Sequence, residues 1–241
     1  MIKSLSIIYP IFNEESRLIN IFSDIKSFNK ETKDIKKEYI FVDDGSKDKS
    51  KMIIKNFIKK NSFFKVSYKI ISYKTNRGKG FALKKGVKRS TNKWILTSDA
   101  DCSVSNFQLI KWLRKKFITK KNKIYFSSRN HALSKVKKIK TRQFIGLLFR
   151  FFILIFFRIN ISDTQCGFKL YESKIAKKIF NKIKTHGYMH DIEVYIIAKK
   201  MMNNIKVLPV NWKHQPDGKI NLFKDFIKIL VNLIQIKFYK Y

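Results

Sequence analysis

Acidic residues are scarce in this chain: 17 Asp and Glu stand against 53 Lys and Arg in 241 residues, a formal net charge of +36. Cysteine is scarcer. Cys102 and Cys166 are too few and too far apart for a disulfide framework or a thiolate zinc site. Four histidines fall at no metal-ligand spacing. Three prolines and eight glycines form no Pro/Gly/Ser-rich linker. There is no internal repeat, so residues 1–241 are read as one domain. A long apolar run is missing too. Phe144–Leu148 and Phe151–Phe157 are split by Arg150 and closed by Arg158, short of the roughly 20 apolar residues a bilayer span needs. No signal peptide precedes the first apolar run, Leu5–Tyr9, and a reducing cytosolic compartment is the expectation.

What is present is apolar enough to fold. Hydrophobic residues make up 44% and aromatics 15%, which excludes a disordered chain. The lysines are spread through every segment, and no RRM, KH or zinc-finger signature accompanies them. Nucleic acid is therefore not an expected partner, although a basic nucleic-acid-binding α/β protein is the alternative that charge alone leaves open. Attraction to an anionic membrane surface fits better. An aromatic-rich helix over Phe144–Phe157, lying in the interface with Arg150 and Arg158 reaching headgroups, is expected, with a helix packed on the core as the plainer reading. Leu222–Tyr241 reads as a second amphipathic helix.

Short apolar runs alternate with helix-period stretches. Strands are expected at Leu5–Tyr9, Tyr39–Val42, Val66–Tyr73, Trp94–Ser98 and Ile124–Ser128. Helices are expected at Glu15–Lys26, Ser50–Lys59, Phe81–Lys88 and Asn106–Ile118. This order predicts a mainly parallel sheet with helices on both faces.

Carboxylates gather where such strands end. Asp99-Ala100-Asp101 follows Trp94–Ser98; on a strand, residues at i and i+2 share a face, and the two acids converge at the carboxyl end, where open α/β sheets hold ligands. Paired hard oxygen donors suit Mg²⁺ or Mn²⁺ shared with a substrate diphosphate. Alone, an Asp-x-Asp is more simply a turn or a helix N-cap. Pro10, Asn13 and Glu14 after the first strand, and Asp43-Asp44-Gly45-Ser46 after the second, fall on the same rim. Helix capping and an Asp-Gly turn are their plainer readings; three such loops on one rim favour a binding site. Asn76-Arg77-Gly78-Lys79-Gly80 is neither a P-loop nor a dinucleotide fingerprint. Its glycines allow close approach to a ligand, and Arg77 and Lys79 suit an anion, where a flexible basic loop is the alternative.

In order and spacing, Pro10, Asn13-Glu14, Val42–Ser46, Asn76–Gly80 and Asp99-Ala100-Asp101 resemble the family-2 glycosyltransferases of GT-A fold. The segment Asp163-Thr164-Gln165-Cys166-Gly167-Phe168-Lys169-Leu170-Tyr171 is similar to the dolichyl-phosphate β-glucosyltransferase branch, as are Ser127–His131, His190-Asp191-Ile192-Glu193 and Val210-Asn211-Trp212. Cys102-Ser103 and Ser127 depart from the usual small residues at their positions, without removing a charge.

The resemblance implies an α/β GT-A fold, Rossmann-like, with C-terminal amphipathic helices. It implies an inverting transfer of glucose from UDP-glucose to a polyprenyl (dolichyl or undecaprenyl) phosphate, with mannosyl or other hexosyl transfer as the near alternative. Residues 1–130 would form the nucleotide-sugar half and 131–241 the acceptor and membrane-facing half. Pro10, Asn13, Glu14, Asp43, Asp44, Lys79 and Asp99 would hold the nucleotide, and Asp99 and Asp101 the Mg²⁺ or Mn²⁺. Arg129 would offset the charge of two approaching phosphates. Asp191 would orient the sugar or act as a base, with Asp163 supporting the pocket, while His190 and His131 are structural or rim residues. The expected location is peripheral, on the cytoplasmic face of a membrane.

Overall fold

The computed structural model describes residues 2–137, 157, 163–202, 204–215 and 222–241. Its sheet begins with β1 (Ser4–Ile11), β2 (Lys36–Asp43), β3 (Val66–Ser72) and β4 (Trp94–Thr97), linked by α1 (Leu18–Glu31), α2 (Ser50–Lys60) and α3 (Lys79–Arg89). After α4 (Phe107–Arg114) come β5 (Ile124–Ser128), β6 (Lys135–Lys137) and β7 (Lys169–Glu172). Then follow α5 (Ser173–Lys182), α6 (His190–Met202), β8 (Ile205–Pro209), β9 (Asn211–Lys213) and α7 (Leu222–Phe238). Seven strands pair in the order β3-β2-β1-β4-β7-β5-β8, while β6 and β9 form a separate two-stranded parallel ribbon. All neighbours in the large sheet are parallel except at β7, which runs antiparallel to both β4 and β5.

The period-two alternation of the strands divides the core. Leu5, Ile7, Tyr9 and Ile11 of β1, with Tyr39 and Phe41 of β2, pack on the face covered by α1, α2 and α4. Ile8 of β1, with Ile40 and Val42 of β2, points to the opposite face, under α3, α5 and α6. This is the doubly covered sheet that the alternation predicts. The chain reaches the β3 edge with helices on one face, then crosses through α3 on the other face to place β4 beside β1. The β1/β4 boundary is therefore a topological switch point, where loops on opposite sides part and leave a crevice.

Helix α4 ends at Arg114, short of the expected Ile118, and β6, β8 and β9 add to the expected strands; other expectations shift for local reasons. Helix α1 starts at Leu18 instead of Glu15, because the Glu14 and Glu15 backbone N–H groups donate to Ser50 Oγ (2.8 Å) and Asp48 Oδ2 (3.1 Å) across the rim. It runs on to Glu31 because Phe28 and Asn29 are buried, Asn29 Oδ1 accepting from Tyr39 Oη at 2.8 Å. Strand β2 begins at Lys36, ahead of the apolar run: Lys37 and Glu38 are buried with partners, Glu38 accepting from Ser6 Oγ (2.6 Å) and from Thr91 N and Oγ1 (both 3.0 Å). Strand β7 was not expected, since its lysine interrupts the apolar pattern.

The run Phe144–Phe157 lies outside the described residues except for Phe157. Helix α7 turns Leu233 and Ile236 to the core and leaves Val231, Ile234 and Phe238 exposed. No described helix is long and apolar enough to cross a membrane.

Gly86 of α3 packs against the sheet. A Cβ there would collide with a methyl of Ile8 and press on Val42. Gly86→Leu is expected to destabilise the fold by about 1–3 kcal/mol through overpacking, lowering the thermal unfolding midpoint. An unchanged midpoint would contradict this packing.

Candidate active site

A cavity of about 700 Å³ opens at the switch point. From β1 and its loop come Pro10, Asn13 and Glu14; from β2 comes Asp44; from the start of α3 comes Lys79. Asp99 and Asp101 line it from the turn after β4, Arg129 from the end of β5 and Asp191 from α6. Most of the residues picked out in the sequence thus share one space. Asp43 and Asp163 do not line it. Asp43 is buried in its own turn, accepting from Ser46 N (3.0 Å) and from Ser72 Oγ (2.9 Å). Asp163 lies beneath Arg129.

The two rim loops hold each other by side-chain-to-backbone hydrogen bonds. Asn13, at φ +50°, receives Lys47 N on Oδ1 (2.8 Å) and donates its own N–H to Ser46 Oγ (3.0 Å). The Asp44 carboxylate accepts from Arg77 N and Gly78 N (both 2.8 Å) and from Asn76 Nδ2 (3.0 Å), so it anchors the loop that begins α3. That loop's glycines serve the protein. Gly80 N donates to His186 O (2.7 Å), and a Cβ at Gly78, whose φ is +98°, would strike the same carbonyl. Glu193 holds the opposing segment, accepting from Lys184 N (2.8 Å) and Thr185 N (2.7 Å).

Asp99 and Asp101 sit beyond the end of β4, in a turn closed by Cys102 N donating to Asp99 O (3.4 Å), with Cys102 at φ +53°. Strand alternation is thus not what brings them together; the turn does. Asp99 Oδ1 lies 2.6 Å from Lys79 Nζ. Gly167 packs directly under this carboxylate, and a Cβ there would clash with both Asp99 oxygens. Burial works against the Lys79 charge, but Asp99, Asp191 and Asp101 outweigh it and raise its pKa above 10.5.

Arg129 and Asp163 make a bidentate pair, Nε to Oδ2 at 2.8 Å and NH2 to Oδ1 at 2.9 Å. The Arg129 backbone N–H adds a third bond to Asp163 Oδ2, at 2.9 Å. A guanidinium has five N–H donors, so among the described residues this pairing leaves three without a partner at its outer edge. Trp212 lies 5.7 Å from the guanidinium, within cation–π range. Burial opposes ionisation of Asp163, yet Arg129 and two backbone N–H donors hold its carboxyl below 3.8.

Asp191, in the first turn of α6, is paired through Oδ1 with the Lys169 ammonium. Lys169 is 1% exposed, and its role was not read from the sequence. Its position in β7, between Phe168 and Leu170 on the other face, is the signal that a strand reading would have offered. Burial opposes the charge on Asp191, and His190, Lys169 and Lys79 together overcome it, leaving the pKa at about 2. His190 Nδ1 contacts Gly187 O (2.8 Å), and His131 Nδ1 accepts from Leu133 N (3.1 Å); both are structural contacts.

The profile of Glycosyl transferase family 2 matches residues 6–180, nearly three quarters of the chain. This chain is a family-2 glycosyltransferase. Among similar proteins, the dolichyl-phosphate beta-glucosyltransferase of Dictyostelium discoideum is 31% identical over 243 residues, covering 97% of this chain and 74% of that one. The enzyme of that name from Saccharomyces cerevisiae is 33% identical over 250 residues, with the same coverage. In fold, the glycosyltransferase is similar to glucosyl-3-phosphoglycerate synthase from Mycobacterium tuberculosis, solved with Mn²⁺, UDP-glucose and phosphoglyceric acid. The TM-score is 0.71 at 13% identity, over 99% of this chain and 81% of that one. The GT-A fold expected from the motifs is the fold observed.

The Arg129–Asp163 pair makes a pH prediction for this glycosyltransferase. With its folded pKa below the unfolded 3.8, Asp163 contributes stability that is fully present above about pH 4 and is lost as pH falls through the folded value. Asp163→Asn should cost about 1.5–3 kcal/mol at pH 7 and flatten the loss of stability below about pH 4, read by thermal unfolding across pH. A wild-type slope retained in the variant would contradict the pairing.

Proposed function

We propose that this glycosyltransferase moves glucose from UDP-glucose to a polyprenyl phosphate, with inversion at the anomeric carbon and release of UDP. The observation carrying the reading is one cavity lined by an Asp-x-Asp turn with Lys79 and by Arg129, in a chain whose relatives bear the dolichyl-phosphate glucosyltransferase name. Two phosphate-bearing reactants need cationic partners at two places, and the cavity has them.

Asp99 and Asp101 suit a divalent cation, Mg²⁺ or Mn²⁺. Asp99 Oδ1 is sealed from solvent, and among the described residues its close polar partner is the Lys79 ammonium at 2.6 Å, which a cation could displace. Among the described residues no group of three or more His, Cys, Asp or Glu is close enough to cage an ion, so Asp99 and Asp101 would share it with substrate oxygens. Bound there, such an ion supplies positive charge that stabilises the departing diphosphate. In this reading Lys79 would neutralise the same diphosphate, and Asn13 and Glu14 would meet the nucleoside.

The reaction forms a bond from a phosphate oxygen of the lipid to the anomeric carbon and breaks the bond from that carbon to the UDP oxygen, which leaves with the electron pair. A phosphate monoester, with a second pKa of about 6, is already ionised near neutral pH. No strong base is required. Arg129 offers unused N–H donors to the incoming phosphate while Asp163 keeps the guanidinium in place. The working division is a nucleotide-sugar half over residues 1–130 and an acceptor half over 131–241. The net charge, the exposed apolar residues of α7 and the aromatic run Phe144–Phe157 support a peripheral site on the cytoplasmic face of a membrane.

Asp99→Asn and Asp101→Asn remove charge and keep shape. Each should lower glucose transfer from UDP-glucose to dolichyl phosphate by about 100-fold or more, with unfolding midpoints near wild type. Full activity in both variants, or activity undiminished in EDTA, would overturn the assigned role.

A further inference from the structure

Asp191 reaches the cavity from α6 while its partner stands behind it. Lys169 belongs to β7, the reversed strand between β4 and β5, and does not line the cavity. Its ammonium is 1% exposed, pairs with Asp191 Oδ1, and lies 5.0 Å from the Phe126 ring. His190 Nε2 is 3.6 Å from the same Asp191 oxygen. Both neighbours act on Oδ1, and among the described residues nothing hydrogen-bonds Oδ2.

A buried carboxylate is tolerated only when its charge is answered, and Lys169 answers this one from the side away from solvent. The consequence is a fixed anionic oxygen at the cavity wall. Such an oxygen is a strong acceptor for a hydroxyl, because hydrogen bonds to ionised groups are about twice as strong as neutral ones. It is a poor place to leave a proton, since protonation would strand the buried ammonium of Lys169 beside a neutral partner.

We propose that Lys169 is a positioning residue for donor-sugar recognition: by holding Oδ1 of Asp191 it presents Oδ2 to a hydroxyl of the hexose, and Asp191 serves as a hydrogen-bond acceptor and not as the general base. The inference rests on the nucleotide-sugar reading above and deepens it. A site built to receive a hydroxyl discriminates strongly, because a sugar lacking the group leaves a buried charge unpaired.

The test is calorimetric binding of UDP and of UDP-glucose, with Mn²⁺ present, to the wild-type protein, Lys169→Met, Asp191→Asn and the double variant. Each single variant should weaken UDP-glucose by about tenfold or more while UDP binding stays within about twofold. The double variant should be no weaker than Asp191→Asn, because Lys169 acts only through that carboxylate. Should Lys169→Met fail to fold, with a charge left unpaired, the comparison of Asp191→Asn with the double variant carries the test, and an added loss for UDP-glucose overturns the proposal. Equal weakening of UDP and UDP-glucose would make Lys169 merely structural. Unchanged UDP-glucose binding, with an acid limb of the kcat profile moved upward in Lys169→Met, would make Asp191 the base. Either result overturns the inference and leaves the glucosyltransferase reading standing. Wild-type protein that binds no UDP-glucose would overturn both.

Discussion

Every carboxylate that the fold buries around the cavity is answered by a cation or by several N–H donors, and the site depends on that constraint. Lys79 faces Asp99, Arg129 faces Asp163 and Lys169 faces Asp191. Asp44 is answered by two backbone N–H groups and a side-chain amide. Lys169 and Asp191 are sealed on both sides, and removing either would cost about 3–5 kcal/mol because the other charge stays behind; the half-open pairs cost less. The pairs therefore fix where each side chain points. They also come from separate parts of the chain: α3 with the turn after β4, β5 with the segment before β7, and β7 with α6. Closing the charge balance closes the cavity.

The pairs are not equivalent. Lys169 and Asp191 are both nearly sealed from solvent, so theirs is a permanent contact. Arg129 keeps 30% of its side chain exposed, and its outer edge still has donors to offer. Lys79 and Asp99 are 18% and 32% exposed and line the cavity. In the proposed reading these two would exchange partners when a diphosphate enters. One pair is thus sealed and the neighbouring pair half-open.

Much of this was legible in the chain. The strand runs of β1, β3, β4 and β5 show in the apolar pattern because most of their side chains pack on the two apolar cores. What the pattern hid was charge inside the core. Lys37 and Glu38 extend β2, and Lys169 sits in β7; among 53 basic residues composition does not single out the buried ones, and the partner of Lys169 lies 22 residues away on another element. The glycines at 78 and 80 were readable as a close approach, but to a ligand; the structure gives that approach to His186, and only contacts between distant segments decide such a matter. Asp99 and Asp101 were found as residues, while the turn that joins them depends on Cys102 adopting a left-handed conformation that its side chain does not advertise.

The central claim is chemical: glucose passes from UDP to a lipid phosphate. Incubating the protein with UDP-glucose labelled in the sugar and in the β-phosphate, together with dolichyl phosphate, tests it most directly. The account predicts sugar label in an acid-labile, organic-soluble monophosphate and β-phosphate label in free UDP. Both labels travelling together into the lipid with release of UMP, or sugar label on protein or free glycan, would contradict it.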